Sequence, residues 1–141
     1  MTDPAAIQNV IAAYCQLNDD RRFDEFEELW TEDATFGSST RTPVHKGRGN
    51  IRRHFESRSD PARRGIHAPF TPRIKVNGEE AEATADYVWF GVSQGELELG
   101  PGGRYKFRFA KESGCWRISE LFVQVLLTAQ ENEARRTRRA R

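Results

Sequence analysis

Ile74-Lys75-Val76-Asn77-Gly78-Glu79-Glu80-Ala81-Glu82-Ala83-Thr84-Ala85-Asp86-Tyr87-Val88-Trp89 is the stretch whose reading decides the fold. Ile74 and Val76 alternate with polar neighbours up to Asn77-Gly78, the commonest tight hairpin signal. Ala81, Ala83, Ala85, Tyr87 and Trp89 then alternate with Glu80, Glu82, Thr84 and Asp86. A period of two on both sides of a turn predicts an antiparallel hairpin with one buried face. Upstream, Ile66, Ala68 and Phe70 extend the first strand. Downstream, a Gly-containing connection over residues 93–103 ends in Pro101-Gly102-Gly103. Tyr105, Phe107 and Phe109 next alternate with Arg104, Lys106 and Arg108, a Ser113-Gly114 turn follows, and a last strand runs from Trp116 to about Leu127. The sum is a four-stranded antiparallel meander.

The chain before residue 60 has a period near 3.6 instead. Asp3 can cap a first helix and Pro4 suits its first position. Ile7, Val10, Ile11, Tyr14 and Leu17 form one apolar stripe, which Asn18-Asp19-Asp20 ends. A short second helix carries Phe23, Phe26, Leu29 and Trp30 on one side and acids largely on the other. Ala34-Thr35-Phe36 reads as a short strand and residues 37–47 as loop. A third helix over about 50–57 buries Ile51 and Phe55, and Ser59-Asp60-Pro61 breaks it. Three helices followed by a meander make an α+β domain, with helices over one face of a strongly bent antiparallel sheet. Such a cone encloses the natural place for a small-molecule pocket.

The 141 residues suit a single domain, expected over residues 1–130, with a basic, flexible tail over 131–141. Charged residues are 30% of the chain, but 3 Trp, 3 Tyr and 9 Phe argue against disorder. No apolar run approaches the roughly 18 residues of a membrane span, and Met1-Thr2-Asp3-Pro4-Ala5 lacks the pattern of a secretory signal. A cytoplasmic location is the expectation, with no membrane partner. Lys+Arg 22 against Asp+Glu 21 gives a net charge of +1. The Arg residues at 135, 136, 138, 139 and 141 could contact nucleic acid, but a solvated end is the ordinary reading and no such partner is expected. Cys15 and Cys115 form neither a framework nor a CxxC motif.

The histidines have no metal-ligand spacing, so no metal is expected. His45 is a loop residue that could line the pocket mouth, and His54 falls on the polar side of the third helix, where water is its ordinary surrounding. Gly100-Pro101-Gly102-Gly103 joins strands and opens no helix, so it is not a phosphate loop. Tyr87, Trp89, Tyr105, Phe107, Phe109 and Trp116 read as core or as the interface of a dimer. Arg104, Lys106 and Arg108 would pair with Glu80, Glu82 and Asp86 if their strands are neighbours.

Ordered pieces of the chain carry a resemblance. Phe23-Asp24-Glu25-Phe26, Leu29-Trp30-Thr31-Glu32-Asp33-Ala34, Lys46-Gly47 before Ile51, Ile66-His67, Val76-Asn77-Gly78-Glu79-Glu80-Ala81, and Gly114-Cys115-Trp116-Arg117-Ile118 follow in turn. In that order they resemble the SnoaL-like branch of the nuclear transport factor 2-like (cystatin-like) superfamily over about residues 5–127. The resemblance implies a cone-shaped fold, a homodimer through the outer sheet face, and chemistry that varies widely between members. One subset, typified by scytalone dehydratase and bile acid 7-alpha-dehydratase, is similar in using an Asp–His pair to drive elimination. Its matching positions here are Asp19 and His67, 48 residues apart, and Tyr14 matches a tyrosine of the bile acid enzymes.

That resemblance implies a small cofactor-independent lyase or isomerase for an apolar, cyclic metabolite. His67 would be the base, Asp19 its orienter and Tyr14 a polariser. Trp30, His45, Phe55, Trp89 and Leu121 would line the pocket. Many relatives place an Arg at the position of Leu121, so a cationic anchor is missing there. The alternatives are a non-catalytic ligand-binding or dimer-scaffold domain, and a polyketide cyclase or epoxide hydrolase sharing the pocket. The residues taken alone also allow plainer readings. Alternation sets His67 opposite Ile66, Ala68 and Phe70, so either that face is not the pocket face or Pro69 and Pro72 mark a bulge. Asp19 could be a turn carboxylate and Tyr14 core packing.

Overall fold

A computed structural model of the chain describes residues 1–128 and 138–140. The expected basic tail, 131–141, lies outside the described residues except for 138–140. Helix α1 (Asp3–Asp19) is capped by Thr2, not Asp3: the Thr2 hydroxyl accepts from the Ala5 N–H at 3.4 Å. Its buried stripe is Ile7, Ile11, Tyr14 and Cys15. Helix α2 (Phe23–Glu28) follows, then strands β1 (Trp30–Ser38) and β2 (Arg41–Lys46), and helix α3 (Arg48–Arg58). The remainder is β3 (Arg64–Pro69), β4 (Arg73–Asn77), β5 (Glu80–Ser93), β6 (Glu96–Glu112) and β7 (Cys115–Leu127).

The α+β class holds, with helices packed on a large curved, unclosed sheet. The sheet is larger than a meander. It has 7 strands in the order β2-β1-β7-β6-β5-β3, with β4 also pairing β5. β1 pairs β7 in parallel, so the sheet is not antiparallel throughout. Four expectations need correction. Trp30 opens β1 instead of closing α2. Residues 37–47 are largely strand: β1 and β2 form a hairpin whose partners include Thr35 with Lys46 and Phe36 with His45. The connection expected over 93–103 is a tight turn at Gln94-Gly95, with φ of 53° and 79°, after which β6 begins at once. The hairpin loop between β4 and β5 is Gly78-Glu79, one residue later than the Asn77-Gly78 signal, because Asn77 pairs with Glu80.

The expected single strand from Ile66 to Val76 is broken in two, and the break sets the orientation of His67. On β3, His67 pairs with Trp89 and Pro69 with Tyr87, whereas on β4 Ile74 pairs with Ala83 and Val76 with Ala81. Tyr87, Ala83 and Ala81 are buried, so the odd residues of β3 and the even residues of β4 face the helices. The interruption at residues 70–72, flanked by Pro69 and ending in Pro72, shifts the register by one. Ile66 and Phe70 consequently lie on the outer face, 58% and 59% exposed. The concave face carries the core, with Phe26, Trp30, Tyr105, Phe107, Phe109, Ile118 and Leu121 fully buried. The outer face is charged, and Arg104 Nε donates to Asp86 across β5 and β6 at 2.6 Å. Among the described residues, no helix is long and apolar enough to cross a membrane.

Candidate active site

A cavity of about 580 Å³ opens on the concave face between the end of α1, α3, and strands β1, β3, β5, β6 and β7. The last turn of α1 delivers Asp19 to one wall. The helix closes there with a left-handed residue, Arg21 (φ 57°), whose N–H reaches the Asn18 carbonyl while the Arg22 N–H reaches Leu17. This paired closure is the common way to satisfy the last helical carbonyls.

Asp19 binds His67 twice. Oδ2 accepts from the His67 backbone N–H at 2.8 Å, and Oδ1 lies 2.6 Å from Nδ1. A carboxylate only accepts, so in the neutral ring Nδ1 carries the proton and Nε2 keeps its lone pair. The backbone bond fixes the carboxylate to the strand, and the ring bond fixes the tautomer. The Asp19 side chain is 9% exposed and that of His67 is 27% exposed, so the acid is shielded while the ring reaches the cavity it lines.

Tyr14, five residues before Asp19 on α1, also lines the cavity. Its ring sits among Phe26, Trp30, Phe55, Tyr105 and Phe107, with centroids 5.4–6.1 Å away. Burial above all holds the Tyr14 phenol well above its ordinary value, with Cys15, Tyr87 and Asp19 pushing the same way. It is therefore a neutral O–H donor. Tyr105, stacked on Tyr87 at 4.1 Å, is raised in the same way, chiefly by burial. Burial also pushes the Cys15 thiol up to about 12. Among the described residues, no cluster of His, Cys, Asp and Glu is arranged to hold a metal ion.

Of the residues expected on the pocket wall, His45, Phe55 and Trp89 are there. Trp30 and Leu121 are not: each is 0% exposed and packed in the core behind the cavity. His45 belongs to β2, not to a loop. His54 is the residue that sequence reasoning misplaced. It is half-buried on the cavity wall, its ring stacked on His45 at 4.1 Å and 5.4 Å from Phe36. The helical position of His54 beside Phe55 gave no warning, because the strand that meets it was read as loop. Arg21, Arg58 and Arg63 at the cavity mouth were also missed.

Residues 1–121 match the family model described as SnoaL-like domain. No curated protein matches the sequence. Among solved structures, an NTF2-like protein with a cystatin-like fold from Novosphingobium aromaticivorans has a TM-score of 0.80 at 22% identity, covering 94% of this chain and 87% of that one. A hexachlorocyclohexane dehydrochlorinase of type 2 has a TM-score of 0.76 at 20% identity, with coverage of 87% and 84%. The beta subunit of the benzoate 1,2-dioxygenase from Burkholderia mallei has a TM-score of 0.75 at 14% identity, with coverage of 89% and 92%. Likeness at these identities shows a shared fold.

Proposed function

Because the chain belongs to the SnoaL-like domain family, we propose that it is a small cofactor-independent lyase or isomerase of the dehydratase type, acting on an apolar ring compound. The observation that carries this reading is the doubly held contact between Asp19 and His67 at the cavity wall. Nε2 of His67 takes a proton from the carbon beside a substrate carbonyl. The C–H electron pair becomes the new C=C bond as the leaving group departs from the next carbon. Asp19 stabilises the imidazolium through Nδ1, the orienting role a carboxylate has in a catalytic triad. The Tyr14 hydroxyl donates to the carbonyl oxygen as negative charge builds there. His67 then returns the proton to the leaving hydroxyl, which departs as water.

The test is a screen of cyclic β-hydroxy and β-halo ketones for loss of water or halide. For any active substrate, His67→Ala and Asp19→Asn are each expected to lower kcat by about 10²–10⁴-fold, with unchanged circular dichroism. Rates near wild type in both variants would remove the mechanism. A cyclase or epoxide hydrolase would use the same cavity with different roles, and product identity separates those outcomes.

A non-catalytic scaffold is the second reading. Ile66 and Phe70 on the outer face favour it, together with Leu97 and Leu99, 76% and 60% exposed on β6. A second copy of this chain is the occupant we assign to that surface, in line with the expected homodimer. Sedimentation of the wild type against Phe70→Glu checks it: a dimer that dissociates in the variant supports the interface, and a wild-type monomer removes it.

A further inference from the structure

The indole of Trp89 lies flat against the sheet. A Cβ at Gly65 on β3, Gly91 on β5 or Gly100 on β6 would overlap atoms of the Trp89 ring. These glycines, on neighbouring strands, form a floor that lets a bicyclic side chain rest on backbone. The guanidinium carbon of Arg63 lies over the ring, 4.5 Å from its centre. Arg63 also donates through Nη2 to Glu98 at 3.1 Å. The two side chains of that pair are 52% and 40% exposed, so water screens it and it contributes little.

Trp89 and Arg63 line the cavity that holds His67, and so do Arg21 and Arg58. Among the described residues, Arg21 and Arg58 have no ion-pair partner. The acids of the same lining are otherwise engaged. Asp19 is held by His67, and Oδ1 of Asp60 accepts from the Ala62 N–H at 2.9 Å. Three guanidinium groups, those of Arg21, Arg58 and Arg63, thus stand at the mouth beside a flat aromatic surface, with the Asp60 carboxylate among them.

We propose that the Trp89 shelf is the ring-recognition subsite of this cavity and that it takes planar, aromatic or conjugated carboxylates. The ring of the ligand replaces the Arg63 guanidinium on the indole, and the carboxylate is taken up by Arg63 with Arg21 or Arg58. Charge follows from the exchange itself. A neutral ring must displace Arg63 from both Trp89 and Glu98 and offers it nothing. A carboxylate gives the guanidinium a bidentate partner in return. Planarity follows from the floor, since an indole that cannot tilt presents a flat face to which only a flat ring stacks closely. The inference rests on the cavity being the ligand site of the proposed function, and it adds a carboxylate to the otherwise apolar ring compound read there.

The experiment titrates protein labelled with nitrogen-15 at tryptophan and follows the indole N–H signals, that of Trp89 being assigned by its loss in Trp89→Phe. The probes are naphthoate, the neutral naphthalene-methanol, and the non-planar decalin carboxylate. Naphthoate is expected to shift the Trp89 signal to saturation and to bind about tenfold more tightly than either other probe. Arg63→Gln, at an exposed position, should erase the advantage over the alcohol, in part by tightening alcohol binding, because the ring no longer has a guanidinium to displace from the indole. Equal affinity for the probes, a Trp89 signal that does not move, or a preference that survives Arg63→Gln overturns the subsite. Repeating the titration in His67→Ala separates the two readings, because naphthoate binding should persist there. A subsite that fails while turnover still needs His67 removes only the shelf. A subsite that holds in a protein without turnover removes only the chemistry.

Discussion

Strand β5 changes character along its concave face. Near its start it presents Ala81, Ala83 and Ala85, buried at 6%, 2% and 2%. Further on it presents Tyr87 and Trp89, the second of them half-buried in the cavity wall. Beside the alanines the core is filled by Phe107, Phe109 and Ile118. α1 has 17 residues, which at 1.5 Å each gives about 25 Å of helix. It starts at the β6–β7 turn, where Asp3 meets Lys111 and Trp116, and stops where Asp19 meets His67. The sheet continues past that point without α1 over it, and α3 forms the facing wall. The cavity thus opens at the end of α1, whose last turns give it Tyr14 and Asp19, and the dyad sits where the covered and uncovered ends meet.

The largest contrast is expected in stability. Phe107 is 2% exposed and its ring meets those of Tyr14, Tyr105 and Phe109 at 5.4–5.7 Å. Phe107→Ala should cost about 3–5 kcal/mol in urea unfolding. Trp89→Leu, at the open end, should cost less than half of that, since the side chain removed was only partly out of water. Similar losses at both positions would mean that the open end is as much core as the closed one, and the contrast would fail.

How far the sequence reveals the two ends also differs. At the closed end the period-two alternation of Ala81–Trp89 and of Tyr105–Phe109 states which face is buried, and the structure agrees at each of these positions except the half-buried Trp89. The open end was hidden for identifiable reasons. β2 contains Pro43 and no clean alternation, so residues 37–47 read as loop, and with that strand went the contact that turns His54 inward. The parity of His67 could not be fixed from sequence, because a one-residue shift between β3 and β4 leaves no mark except two prolines. The glycines under Trp89 are scattered over β3, β5 and β6, and only the sheet order brings them together. The Asp19–His67 contact joins residues 48 apart. Family resemblance suggested that pair, where composition and periodicity were silent.

A smaller effect is expected at the seam between the ends. Arg21 holds φ at 57°, a conformation that costs an ordinary L-residue about 1–2 kcal/mol and glycine almost nothing. Its side chain lines the cavity mouth and has no ion-pair partner among the described residues. Arg21→Gly should stabilise the fold by about 1 kcal/mol, near 4 °C in Tm at this chain length. It should also weaken the binding of a carboxylate probe. Gain of stability with unchanged carboxylate affinity would confine Arg21 to helix closure and leave Arg58 and Arg63 as the mouth's cations.

The smallest effect probes the closed end through pH. Oδ1 of Asp3 accepts from Trp116 Nε1 at 2.9 Å and from Lys111 Nζ at 3.0 Å, tying the start of α1 to β6 and β7. The Trp116 bond, followed by that from Lys111, holds the Asp3 carboxyl below its ordinary value. A carboxyl lowered on folding makes the unfolded chain the better proton binder in acid. Its contribution is thus complete above the unfolded value, about 3.9, and is lost as pH falls through the folded one. Asp86, lowered first by its bond from Arg104, acts in the same direction, so the acid profile of the wild type alone cannot isolate Asp3. Subtracting Asp3→Asn removes that overlap, because Asp86 is common to both proteins. The stability difference between wild type and variant should stay level from pH 7 to about 5 and shrink below about 4. A difference that keeps its size in acid would show that α1 is seated by helix packing and the neutral bond to Trp116, with the charge on Asp3 adding nothing.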